Sequence, residues 1–329
     1  MQMKLLRWFA LLMLLASPVV AQEVPPMDDG MPNQVVFTQP GLRPEGIEYD
    51  AVNGYFLVGS LSQGTISKVM PDGTITPFIE DADLTSTVGI HIDRARNRLL
   101  VSSSDAAVFS DPEAQGIGGL AAYDLSSGER LFYADLAALT PDGRHFINDV
   151  TVDDAGNAYA TNSFQPVIYR VSEAGDAEVF IEDEQLASES FGLNGIEYVP
   201  QSGKNGEENG GFLLAAVTGE GALYRIPVDD PAALSEVALS EPFGADGMTL
   251  DAQGRLIAVA TTFDEGGASG QEILAVSSDD DWASARIVSR IPTEGNATTV
   301  AVHGDAAYYI NAYLSNPTQE QYEIIRVDL

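Results

Sequence analysis

PEGIEYD (44–50), VGIHID (88–93), NDVTVD (148–153), NGIEY (194–198), DGMTLD (246–251) and a worn TTVAV (298–302) are six copies of one pattern. A leading residue is followed by Gly or Asp, an apolar residue, any residue, another apolar residue and usually Asp. The leading residues are Glu45, Val88, Asn148, Asn194, Asp246 and Thr298. Apolar residues alternating with others mark a β-strand, and recurrence at roughly 40 to 60 residues is the period of a supersecondary unit such as a propeller blade. Six copies predict six blades around one axis.

The residues between the copies fit that unit. In the first repeat, strands are expected at 46–49, 55–60, 65–70 and 75–79, and in the third at 149–152, 158–161, 167–171 and 177–181. Gly, Asp and Asn turns separate them. Four strands per repeat is the composition of a blade. The last repeat supplies only three, at 298–302, 306–312 and 323–327. The orphan strand Gln34–Thr38 (QVVFT), ahead of the first motif, is predicted to be the missing outer strand and to close the ring. The expected fold is therefore all-β, a single six-bladed β-propeller over 34–329. Two stretches depart from the repeat. Residues 105–119, rich in Gly and acids, follow the second strand of the second repeat and form either a lid over the channel mouth or a surface loop. Residues 201–211 (QSGKNGEENGG) are a flexible excursion in the fourth.

Residues 1–21 carry Lys4 and Arg7, an apolar run over 8–15 and a small-residue end at Ala21, the pattern of a signal peptide cut after Ala21. A membrane anchor would need an apolar run of roughly 20 residues, longer than this one. Residues 22–33, Pro-rich and acidic, read as a disordered leader. The mature protein is expected to be exported, periplasmic or extracellular, and free of the membrane once the signal is cut. With no Cys there is no disulfide scaffold, so stability rests on a large core, a metal or both. Sixteen basic against 49 acidic residues give a net charge of −33. Such a field repels nucleic acid and anionic membranes and attracts cations. Most of these carboxylates read as a solvated coat, and the chain is taken as a monomer by default.

In a propeller the first strand of each blade lines the central channel, so the leading residues approach one axis at one height. Glu45, Asn148, Asn194 and Asp246 would then bring two carboxylates and two amide oxygens together. That is a hard, oxygen-rich site matching Ca²⁺, with Mg²⁺, which prefers a smaller octahedron, as the alternative. Zinc and copper fit poorly in a chain with no Cys and three scattered His. The competing reading of each Asn or Asp is a turn cap, which four residues at equivalent phases of four repeats disfavour.

PEGIEYD, NDVTVDDAGNAYATNS, LNGIEY and ADGMTLDAQGRL resemble the metal-site segments of the senescence marker protein, gluconolactonase and luciferin-regenerating enzyme family, in the calcium-dependent phosphotriesterase-like superfamily. AAYDLSSGERLFYADL (121–136) is similar to the plant-type branch. The resemblance spans the chain after the leader and implies a six-bladed propeller with calcium at the axis. Glu45, Asn194 and Asp246 match the family's metal ligands, and Asn148 a residue that contacts metal or substrate. Two departures accompany it. Phe146 stands where gluconolactonases carry a substrate-holding Arg, and Val88 where the more distant paraoxonases carry a catalytic His.

The expected function is calcium-dependent hydrolysis of a small-molecule lactone or related ester. The metal would polarise the carbonyl, Asp246 would be the base, Glu45 mainly a ligand and Asn148 the residue orienting substrate. His145, three residues before Asn148, is a candidate proton shuttle. His91 is expected between blades and His303 at the surface. Phe146, Phe164, Phe191 and Phe263 either wall an apolar pocket or pack between blades. No GxSxG elbow and no phosphate-binding Gly loop occur. The alternative is a non-catalytic propeller, pinned by structural calcium, that binds a ligand or protein.

Overall fold

In the computed structural model, residues 30–111, 113–202, 208–264, 267–316 and 318–329 are described. The signal segment 1–21, most of the leader and the centre of the 201–211 excursion lie outside them. Each motif copy forms the innermost strand of its own sheet: Ile47–Asp50, Ser86–Asp93, Ile147–Val152, Leu193–Ser202, Phe243–Leu250 and Ala297–His303. Antiparallel neighbours follow outward in chain order, giving six sheets, blades 1 to 6, connected up and down. In blade 1 the others are Tyr55–Val58, Thr65–Val69 and Ile75–Glu80. Among the described residues the helical segments are short 3-10 turns.

Blade 6 is completed from the other end of the chain. Gln34–Thr38 pairs antiparallel with Gln321–Asp328, in register from Gln34 opposite Ile325 to Thr38 opposite Gln321. Val35 and Phe37 of this strand point inward and are buried while their neighbours are exposed. Met31 also packs against this cluster, and Arg326 N donates to Asn33 O. Blade 5 departs from the four-strand unit. A two-residue strand, Ala238–Leu239, adds in parallel outside Ser284–Pro292 as the chain arrives from blade 4.

The motif positions have distinct structural duties. The apolar residue after the Gly or Asp is buried between blades: Ile47, Ile90, Val150, Ile196, Met248 and Val300 each belong to a different one of six inter-blade cores. The closing Asp caps the turn that follows. Asp50 Oδ1 accepts from Val52 and Asn53 N, and Asp251 Oδ1 from Gln253 and Arg255 N. The Gly allows the inner strands to approach: a Cβ at Gly46 would fall on the Val88 carbonyl, at Gly89 on Asn148 O, at Gly195 on Asp246 O and at Gly247 on Thr299. In blade 3 the same place is taken by Asp149, whose Oδ2 instead accepts from Ile196 N of blade 4 at 3.2 Å.

Candidate functional site

The register of blades 2 to 6 slips across the leading residue and the one after it. The shifts lie between Thr87 and Ile90, Ile147 and Val150, Leu193 and Ile196, Ala245 and Met248, and Ala297 and Val300. A bulge lets a strand re-aim a side chain that strict alternation would send elsewhere. Here it frees the leading residue from the blade's own ladder. The contacts then run around the ring. Thr298 Oγ1 donates to Glu45 O at 2.8 Å, Gly46 abuts Val88, Gly89 abuts Asn148, Thr161 Oγ1 donates to Asn194 O at 2.7 Å, and Gly195 abuts Asp246.

Within this ring, Asn194 Nδ2 donates to Asp246 Oδ1 at 3.0 Å. Asn148 Nδ2 donates to Ser163 Oγ at 2.9 Å, which in turn donates to Leu193 O at 2.7 Å. Both amides are therefore oriented by their nitrogens, which leaves their carbonyl oxygens for other partners. Among the described residues six buried side-chain oxygens have no hydrogen-bond partner, and two of them belong to this ring: Glu45 Oε2 and Asn194 Oδ1. Buried acceptors without donors are rare and costly. Glu45 is 7 % exposed, and burial, then the Asp246 and Asp149 carboxylates, push its pKa well above the usual range. Burial raises Asp246 to about 7 against the opposing Asn194 hydrogen bond. A hard cation would answer each feature, accepting both oxygens and stabilising both carboxylates. The four residues at the ring fit such an ion.

Three further acids line the inner strands. Asp149 is raised to about 7 by burial, despite accepting from Val150 and Ile196 N. Glu48 is likewise raised to about 7 by burial, against a hydrogen bond from Ile92 N. Glu197 is raised well above normal by burial and by the charges of Asp149 and Glu48. Glu48 and Glu197 stand three residues after Glu45 and Asn194, at the unrestricted position of the motif, which makes a second tier. The motif is itself the signal for them: on an innermost strand, the position between two core residues faces the channel. Among the described residues, no three His, Asp or Glu side chains are grouped to hold one ion, so amide oxygens must complete any shell.

The structure does not bring His145 to this ring. Its Nδ1 faces Gln165 Nε2 at 3.2 Å and Asn162 Nδ2 at 3.5 Å. Two amide donors on one ring nitrogen make it the acceptor, and burial lowers the pKa, so the imidazole is held neutral. His91 lies against another inner strand, its Nδ1 3.4 Å from Glu48 Oε1, with burial lowering its pKa to about 4. His303 is half-buried rather than exposed, its ring 4.6 Å from that of Tyr49. Phe146, Phe164 and Phe191 do come together, edge to face at 6.3 Å in two pairs. Phe263 is not part of that cluster and meets Gly221 instead. The 105–119 insertion carries a 3-10 turn, Ala106–Phe109, whose Val108 and Phe109 pack on those rings.

The sequence matches no protein-family model and no curated protein at a significant level. Solved structures do share the fold. The major allergen Mala s 1 of Malassezia sympodialis superposes with a TM-score of 0.75 at 18 % identity, covering 91 % of this chain and 96 % of that one. A calcium-binding protein, regucalcin from Agrobacterium tumefaciens, gives 0.57 at 18 %, covering 91 % and 95 %. A gluconolactonase from Xanthomonas campestris gives 0.57 at 16 %, covering 88 % of each chain. At these identities the shared property is the six-bladed propeller.

Proposed function

We propose that the protein is a calcium-dependent hydrolase of lactones or related esters. The observation that carries this reading is the pair of orphaned buried oxygens, Glu45 Oε2 and Asn194 Oδ1, beside a second carboxylate, Asp246. Glu45, Asn194, Asp246 and the Asn148 carbonyl would hold the ion. Bound there, calcium supplies a Lewis acid that polarises a carbonyl oxygen and stabilises the negative charge developing on it. Magnesium is the alternative, and the mixed carboxylate and amide donor set suits calcium's larger, looser shell better.

The chain's own residues do the rest. Asn194 fixes Asp246 through Oδ1 and leaves Oδ2 to take a proton from the attacking water. Asn148, oriented by Ser163, positions the substrate carbonyl. Names given to two propellers of the same fold, a gluconolactonase and regucalcin, agree with lactone chemistry and calcium respectively.

The test is turnover by the purified protein, with calcium and with a chelator, on aliphatic, aromatic and sugar lactones and on aryl and phosphate esters. Activity abolished by the chelator and restored by calcium is expected. Asp246→Ala should lower kcat by at least about 100-fold, since a positioned general base contributes about 10² to 10⁴. A flat panel would leave the ring as a structural pin in a binding propeller.

A further inference from the structure

Among the described residues, six of the seven apolar clusters lie between neighbouring blades, and the seventh does not. It gathers Leu61 of blade 1, Val88 of blade 2, Val108 of the insertion and Phe146 of blade 3, with Phe164, Phe191 and Leu314 packed against it. This cluster adjoins the polar ring. Val88 stands in the same tier as Glu45 and Asn148, Phe146 is two residues before Asn148, and Phe164 follows the Ser163 that orients Asn148.

Phe109 covers it. The ring lies 4.7 Å from Phe146, 5.7 Å from Phe164 and 6.1 Å from Phe191, yet the residue is 55 % exposed. One face of Phe109 thus packs on these rings and the other is open. Phe109 is nevertheless presented from a fixed segment. Arg144 Nη2 donates to Val108 O at 2.9 Å and its Nε to Ala114 O at 3.3 Å, while the guanidinium lies 4.1 Å over Phe164. His145 N adds a bond to Gln115 O at 2.7 Å.

We propose that this aromatic wall is a subsite for an alkyl or aryl substituent on the substrate, with Phe109 as its outer face. The site would therefore select apolar lactones or esters over polyhydroxylated ones. The proposal rests on the hydrolase reading of the polar ring. Sugar hydroxyls would lose water against phenyl faces that offer no acceptor, whereas each methylene buried there gains about fourfold in affinity.

The experiment compares kcat/KM of the calcium-loaded protein for γ-butyrolactone and for a γ-lactone bearing an octyl chain. Burial of three or four methylenes predicts a preference of about 100-fold for the octyl lactone. Phe109→Ala, at an exposed position, should keep the fold and lose about tenfold of that ratio through the KM for the octyl lactone. Phe109→Trp should restore it. Equal kcat/KM for the two lactones, or a ratio that Phe109→Ala leaves untouched, overturns the proposal. If neither lactone is hydrolysed, the hydrolase reading fails, and calorimetric binding of the octyl lactone tests the subsite alone. Binding weakened by Phe109→Ala supports it, and no binding to the wild type overturns it.

Discussion

Glu45 is a buried carboxylate with one oxygen unpartnered, in a channel that already holds Asp246 and Asp149. Ionising it without a cation costs folding free energy, so Glu45→Gln should raise the melting temperature of the metal-free protein at pH 8. The same substitution should abolish most of the gain produced by calcium. Calorimetric melts in chelator and in calcium check both arms. A variant that melts lower without metal, yet keeps the calcium gain, would remove Glu45 from the site. Calcium binding near pH 7 should also release protons, because Asp246 with a pKa of about 7 is part-protonated there. Titrations in two buffers of different ionisation enthalpy measure that release, and identical apparent enthalpies would count against it. The shared tier of Glu45, Asn148, Asn194 and Asp246 was legible in the sequence because the same phase of a repeat recurs in blades 1, 3, 4 and 5. Glu48 and Glu197 were passed over, although the motif carries their signal, because a polar residue between two apolar ones faces solvent on most strands and the channel only on an innermost one. The ring direction of His145 was not legible either, since nearness in sequence to Asn148 does not set it and packing against Asn162 and Gln165 does.

At the scale of the element, the motif is a strand with a bulge at its start, and its Gly is the point where two blades touch. Gly195→Ala would drive a methyl group into the Asp246 carbonyl of the next inner strand. Overpacking of this kind costs about 1–3 kcal/mol, and each kcal/mol lowers Tm by roughly 2–4 °C in chains approaching this size. Gly270→Ala, on a strand of blade 5 with nothing near its added methyl, is the control and should leave Tm almost unchanged. Equal melts for the two variants would refute the close-approach account. The inner strands could be read from the alternation of apolar residues, and those of blades 1 and 3 fall within a residue or two of their expected bounds. The bulges could not, since register depends on which partner residues pair across the sheet. The short parallel strand of blade 5 was also invisible, being two residues long and defined only by its neighbour.

For the whole molecule, closure of the ring and the charge inside it act on the same fold. Phe37 is 2 % exposed between the last and first blades, so Phe37→Ala should cost about 3–5 kcal/mol. That loss should appear as a lower Tm with a single transition if the six blades melt as one unit. The channel acids set the dependence on pH. Glu48 has its pKa raised from 4.5 to about 7, mainly by burial, and Glu197 is raised in the same direction. The folded state favours their neutral form, so this contribution to stability is fully present below about pH 4.5 and is lost as pH rises through about 7. The metal-free protein should therefore melt progressively lower between pH 5 and pH 8. Calcium opposes the trend, because it binds the ionised ligands of the neighbouring ring more tightly as protons leave. A site filled at a hundred times its Kd adds about 2.7 kcal/mol, so the difference between calcium and chelator melts should be small at pH 5 and largest at pH 8. Scans across that range in both conditions decide the matter. A metal-free Tm that stays level or climbs from pH 5 to pH 8 would show that the channel acids are already compensated within the protein, and the need for a cation at the axis would go with it.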